Sequence, residues 1–92
     1  MKRLRLTWQD RALQQYEHQI AWIAAESIQN AERMEQRVRA SLSLLQTNPR
    51  FAPVSLRRTG ARQLRVARLL FFYKIHDDRI EIVSVKHGAQ NI

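Results

Sequence analysis

Seven consecutive residues, Leu69-Leu70-Phe71-Phe72-Tyr73-Lys74-Ile75, are apolar at odd and even positions alike, with Lys74 the one exception. Side chains along a strand point alternately to opposite faces. A strand that is apolar on both parities therefore belongs inside a sheet with cover on both sides. The run is far shorter than the roughly 20 apolar residues that a membrane span requires. It predicts a central strand, for which the rest of the chain must supply neighbours and cover.

The neighbours are legible on either side. Leu64 and Val66 alternate with Arg65 and Ala67 after Gly60, and Ile80 to Lys86 reads as a last strand beyond a turn at His76-Asp77-Asp78-Arg79. Three strands joined by short turns make an antiparallel meander. Near the N-terminus, Leu4, Leu6 and Trp8 alternate with Arg3 and Arg5, which predicts a fourth, half-buried strand. Thr7 precedes Asp10 by three residues, close to a capping box that would open a helix. In that helix Leu13, Tyr16, Ile20, Ile23 and Ala24 form one apolar stripe, with Trp22 off its centre. Ser27 offers a second N-cap, and Ala31, Met34, Val38, Leu42 and Leu45 form a second stripe that Asn48-Pro49 ends. Arg50 to Thr59 is a basic loop with Pro53 and no periodicity.

The expected fold is α+β: a strand, an antiparallel helical hairpin, then the three-stranded meander. The sheet of about four strands is curved, with the hairpin packed on one face and the other face left for a partner. Leu13, Ile20, Ile23, Met34, Val38, Leu45, Phe71 and Tyr73 are expected to be mostly buried. The 92 residues make one domain, since a chain of this length buries about 60–65% of its unfolded surface in a single core.

Charge narrows the function. The net charge is +8, and no acidic residue stands between Glu35 and Asp77, an interval that holds Arg37, Arg39, Arg50, Arg57, Arg58, Arg62, Arg65, Arg68 and Lys74. A field of one sign attracts nucleic acid or an acidic protein. The absence of cysteine excludes a disulfide framework and thiolate metal sites. The basic, alternating start MKRLRLTW lacks the apolar stretch of a signal peptide, so the expected location is cytoplasmic, with no membrane association. His18 and His76 have no second ligand at metal-binding spacing, so neither a metal nor any other cofactor is expected.

The chain ends IEIVSVKHGAQNI, which sets Lys86 and His87 at the mouth of the last strand. On a regular strand His87 shares a face with Val83 and Val85, and Lys86 shares one with Ile80, Ile82 and Ser84. Ile82-Val83 is apolar on both parities, so a bulge there would change that phase. Arg62 and Arg68 share a parity that Arg65 does not, so the three do not all face one way on a regular strand. At least one is then structural or solvated.

Taken in order, these features resemble the RelE/ParE superfamily of toxins from bacterial toxin–antitoxin pairs. The resemblance rests on the strand and helical hairpin, the Asn48-Pro49 loop, Gly60-Ala61-Arg62-Gln63-Leu64, Phe72-Tyr73-Lys74-Ile75, Asp77 to Ile82, and Val85-Lys86-His87-Gly88-Ala89. The ending is most similar to the ParE-like branch. That branch implies growth arrest by binding and inhibiting DNA gyrase, with neutralisation in a hetero-oligomer by an acidic, partly disordered antitoxin. The residues expected at the target are Arg62, Arg65, Arg68, Lys86, His87 and Gln90. Those expected at the antitoxin are Leu13, Tyr16, Ile20, Arg57, Arg58 and Leu64. The alternative is a RelE-like, ribosome-dependent mRNA endonuclease using His87. The ribonuclease branch typically carries an arginine where Leu70 stands, and an arginine and a terminal tyrosine or histidine where Gln90-Asn91-Ile92 stands. No catalytic residue is therefore favoured.

Overall fold

A computed structural model describes residues 2–88. Six elements follow one another: β1 (Arg5–Trp8), α1 (Asp10–Glu26), α2 (Ile28–Thr47), β2 (Arg62–Val66), β3 (Leu69–Ile75) and β4 (Arg79–His87). The sheet order is β1-β4-β3-β2. β2, β3 and β4 form the expected antiparallel meander, whereas β1 pairs with β4 in parallel, so the sheet is mixed. The two helices form a hairpin on one face. Ser27 ends α1 by donating its N–H to Ile23 and caps α2 by accepting from the Asn30 N–H at 3.2 Å, so one residue serves both termini.

The both-parity apolar run is β3, and both of its faces are buried. Leu69, Phe71 and Tyr73 point into the main core with Val38, Leu42 and Leu45 of α2 and Ile80, Ile82 and Val85 of β4. Trp8, Tyr16 and Phe71 pack ring against ring there, with centroids 5.4 to 6.2 Å apart. Leu70, Phe72 and Val83 form a second cluster on the opposite face, each only 1–2% exposed. That face is not left bare for a partner at its centre, contrary to the expectation from sequence. The register sets Arg65 and Lys86 on either side of Leu70, and Gln63 and Ser84 on either side of Phe72.

β4 carries the bulge. Tyr73 pairs with Ile82, but Phe72 pairs with Ser84, so Val83 is the extra residue. Ile80, Ile82 and Val85 can then all face the core while Val83 turns to the second cluster. Beyond the bulge Lys86 shares the second face with Ser84, not with Ile80 and Ile82. His87 shares the helix-side face with Val85.

Three further expectations need correction. Thr7 is no helix cap: it lies in β1 and donates its hydroxyl to the Ile80 carbonyl at 3.1 Å, and Gln9 stands at the N-cap with no side-chain cap bond. Leu13 is 40% exposed, because α1 turns the small Ala12, fully buried, towards the sheet, and the next residue lies about 100° round the helix. Ile20, Ile23 and Met34 are half-buried. The Arg50–Thr59 segment is more than a loop, since Val54 bridges Arg62 at the β2 edge.

One polar contact fixes how α1 sits. β1 reaches only Ile82 along β4. Past that point the Gln15 side-chain carbonyl accepts from the Val85 N–H at 2.8 Å and from the Ser84 hydroxyl at 3.2 Å. Gln15→Ala leaves a buried backbone donor unpaired and is expected to cost about 1–3 kcal/mol, against about 3–5 kcal/mol for Phe71→Ala in the core; urea unfolding of both variants checks the order. Burial, and secondarily the Glu35 carboxylate, pushes the Tyr16 phenol up to about 12 from 10.0. A folded pKa above the unfolded one contributes stability in full below about pH 10 and loses it as pH rises towards about 12. Stability should therefore fall across that window, and Tyr16→Phe should flatten the fall, read by denaturant midpoints against pH.

Candidate functional site at the end of β4

The open end of β4 gathers most of the chemistry-bearing side chains. Lys86 and His87 pair across β3 with Leu70 and Leu69, next to the tight Ala67-Arg68 turn that joins β2 to β3. Ala67 adopts φ 53, a left-handed conformation that side chains rarely take, to make that turn. The Gly88 N–H donates to the Arg68 carbonyl and ties the chain end to the turn. A Cβ on Gly88 would come within 2.9 Å of the Arg65 guanidinium and 3.1 Å of the Arg68 carbonyl. A side chain there would displace the Arg65 guanidinium and crowd the Arg68 carbonyl, and Arg65 is held beside Gly88 by a long bond to the Ala67 carbonyl at 3.4 Å.

On the helix side, α1 contributes His18, Gln19 and Trp22. A cavity of about 290 Å³ opens between Trp22, Ile23 and Met34 of the hairpin and Arg68, Leu69 and His87 of the sheet. A shallower depression continues past Arg65 and Gly88, and another past His18. Trp22 is 66% exposed at this rim, the reason it stood off the apolar stripe. Glu26 is the one carboxylate among the described residues lining these cavities. RNA cleavage through a 2′-hydroxyl needs an acid, a base and cations on the phosphorane. The geometry here presents cations, amides, the His18 and His87 imidazoles, the Glu26 carboxylate and one exposed indole.

The residues expected at the target do not all meet. Arg65, Arg68, Lys86 and His87 converge on this end. Arg62 pairs with Tyr73 at the far end of β3, about 13 Å away along the strand from Leu69 at roughly 3.3 Å per residue. Its guanidinium donates to the Ala52 carbonyl at 2.7 Å, a structural task. Gln90 lies outside the described residues.

The residues expected at the antitoxin are spread more widely. Tyr16 lines a groove of about 490 Å³ between β1 and α2, with Leu6, Trp8, Val38 and Leu42. Arg3, Glu35 and Arg39 also line this groove. Leu13 is exposed on α1, Ile20 is half-buried, and Arg57 and Arg58 stand on the segment after α2. Leu64 pairs with Phe71 inside the core at 8% exposure, so its side chain is turned away from any partner. His76, considered as a metal ligand from sequence, bonds Glu81 at 2.9 Å. That bond, with a second from Gln9, holds the Glu81 carboxyl below its usual range.

Gln15, Trp22 and Gly88 are the site residues that sequence reasoning passed over. An indole standing off an otherwise regular apolar stripe was the available signal for Trp22. Nothing in the local pattern distinguished Gln15 from its neighbours Gln14 and Gln19.

Comparison with known proteins agrees with this architecture. Among solved structures the chain is similar to one from "Chromosomal ParDE TA system from P. aeruginosa", at 20% identity and a TM-score of 0.67, over 91% of this chain and 95% of that one. At that identity the likeness is one of fold. No curated protein matches the chain. The model of a family described as "ParE toxin of type II toxin-antitoxin system, parDE" matches residues 6–92. With nearly its whole length matched, and with the strand, hairpin and meander that the fold requires, the chain belongs to the ParE toxin family.

Proposed function

We propose that this toxin acts in the cytoplasm, arrests growth by binding and inhibiting DNA gyrase, and is neutralised by an antitoxin encoded beside it. The observation that carries the reading is the composition of the β4 end. Arg65, Arg68, Lys86 and Trp22 offer contacts to a large partner, and Leu70 fills, inside the second cluster, the position where the ribonuclease branch places an arginine. With His18 and His87 the histidines and Glu26 the one carboxylate among the described residues lining these cavities, a proton relay around a phosphorane has few members. The target contacts are Arg65, Arg68, Lys86, His87 and Gln90, with Arg62 holding the scaffold behind them. The antitoxin is acidic and folds over the basic surface, with apolar side chains in the groove beside Tyr16.

Purified protein should inhibit gyrase supercoiling and leave ribosome-bound message intact. His87→Ala should keep most of the growth arrest, whereas removal of Arg65, Arg68 and Lys86 in turn should weaken it step by step. Message cut at defined codons, lost on His87→Ala by about 10²–10⁴-fold, would replace this reading by the endonuclease.

The interval without acids between Glu35 and Asp77 supports an electrostatically steered association with the antitoxin. Its on-rate should fall steeply with added salt in stopped-flow measurements. A rate that is flat in salt removes the basic surface from the account.

A further inference from the structure

The segment between α2 and β2 is held firmly on one side and displays apolar side chains on the other. On the inner side, the Gln63 N–H donates to the Pro53 carbonyl and the Ser55 N–H to the Ala61 carbonyl, both at 2.9 Å. These two bonds bracket the Val54–Arg62 bridge. The Arg62 guanidinium holds the Ala52 carbonyl at 2.7 Å. Ser55, 7% exposed, donates to the Gln63 side chain and accepts from the N–H groups of Arg57 and Arg58. Backbone groups alternate in direction along an extended strand. With Pro53 and Ser55 bonded to β2, the N–H and C=O of Val54 turn outward, to the open edge of the sheet.

The outer side is apolar. Phe51 and Val54 are each 59% exposed, and Leu56 is completely exposed. Single apolar residues on a surface are ordinary, but three within six residues, on a segment fixed by six bonds to β2 and its own turn, form a patch of the kind that partners cover. Arg50, Arg57 and Arg58 flank it, in the part of the chain that has no acidic residue. That charge disfavours a second copy of this chain as the cover, because two such edges would bring like charges together. It favours an acidic one.

We infer that the Phe51–Arg58 edge docks an extended acidic segment of the antitoxin. The segment pairs its main chain with Val54, sets apolar side chains against Phe51, Val54 and Leu56, and places carboxylates on Arg57 and Arg58. The inference rests on the reading of this chain as a toxin with an antitoxin partner, and it adds a site separate from the Tyr16 groove. The edge lies at the Tyr73 end of β3, away from Lys86 and His87. The segment therefore anchors the antitoxin without covering the target contacts.

The test uses the full chain and the antitoxin encoded beside it, purified as a complex. Phe51→Ser with Leu56→Ser removes the apolar display at exposed positions and leaves every inner bond in place. The double variant should bind roughly tenfold or more weakly, with unchanged circular dichroism. In the wild-type complex the Val54 amide should exchange with deuterium more slowly than in the free toxin. Unchanged affinity in the double variant, with the Val54 amide exchanging as fast in the complex as in the free protein, would overturn the inference and leave the antitoxin reading standing. A wild-type toxin that forms no complex with the neighbouring protein sinks the reading, and the inference with it. A free toxin that dimerises by sedimentation and becomes monomeric on Leu56→Ser would assign the edge to a second copy instead.

Discussion

β4 is nine residues long, lies inside the sheet, and has a strand partner on only one side for half its length. β1 covers Arg79 to Ile82, and the rest of that edge would stand bare in a buried setting. An unpaired backbone group there costs as much as a lost hydrogen bond, so something must replace the missing strand. Gln15 does so from α1, with one side-chain carbonyl serving both the Val85 N–H and the Ser84 hydroxyl. The contact fixes α1 in rotation about its own axis. Ala12 and Tyr16 then fall towards the sheet, and Trp22 falls at the rim.

The bulge at Val83 acts on the same strand in the same region. A regular β4 would send Ile82 and Val85 to opposite faces. The extra residue brings both to the core and gives Val83 to the second cluster. The strand end inherits the change of phase. His87 faces the helices, where Trp22 and His18 are within reach of the same partner, and Lys86 faces the other side of the sheet beside Arg65. The candidate site is two-sided for that reason, with cations on one face and an indole-lined cavity on the other.

How much of this could be read beforehand depended on how local the cause was. β3 declared itself through apolarity on both parities, and Ser27 and Asn48-Pro49 marked helix ends within a few residues. The doubt over phase at Ile82-Val83 was visible in the sequence, because both parities there are apolar, but its resolution lay in the pairing with Phe72 and Tyr73. Thr7 was misread as a cap because its hydroxyl has a partner 73 residues away, the Ile80 carbonyl. Leu13 was misread because a stripe of large residues looks like the buried face, whereas close approach of α1 to β4 favours the small Ala12. Gln15 and the Val54 edge were invisible for the same reason: each satisfies a backbone need created by another element.

The net charge, too, looks different once folded. Of the cations in the interval without acids, Arg62 is tied to the Ala52 carbonyl, and Lys74 faces Glu81 across the β3–β4 ladder. Arg65 is steered by the Ala67 carbonyl and by the close approach of Gly88. The remaining arginines fall into groups set by the fold: Arg37 and Arg39 on α2, Arg50, Arg57 and Arg58 around the sheet edge, and Arg68 at the end of β4. Steering by net charge acts at long range and does not distinguish these groups. Contact does, since each group borders different apolar surface: Trp22 at the strand end, Tyr16 and Leu42 at the groove beside Arg39, Phe51 and Leu56 at the edge. A partner drawn in by the whole +8 field is thus sorted at short range by which apolar residues it can cover.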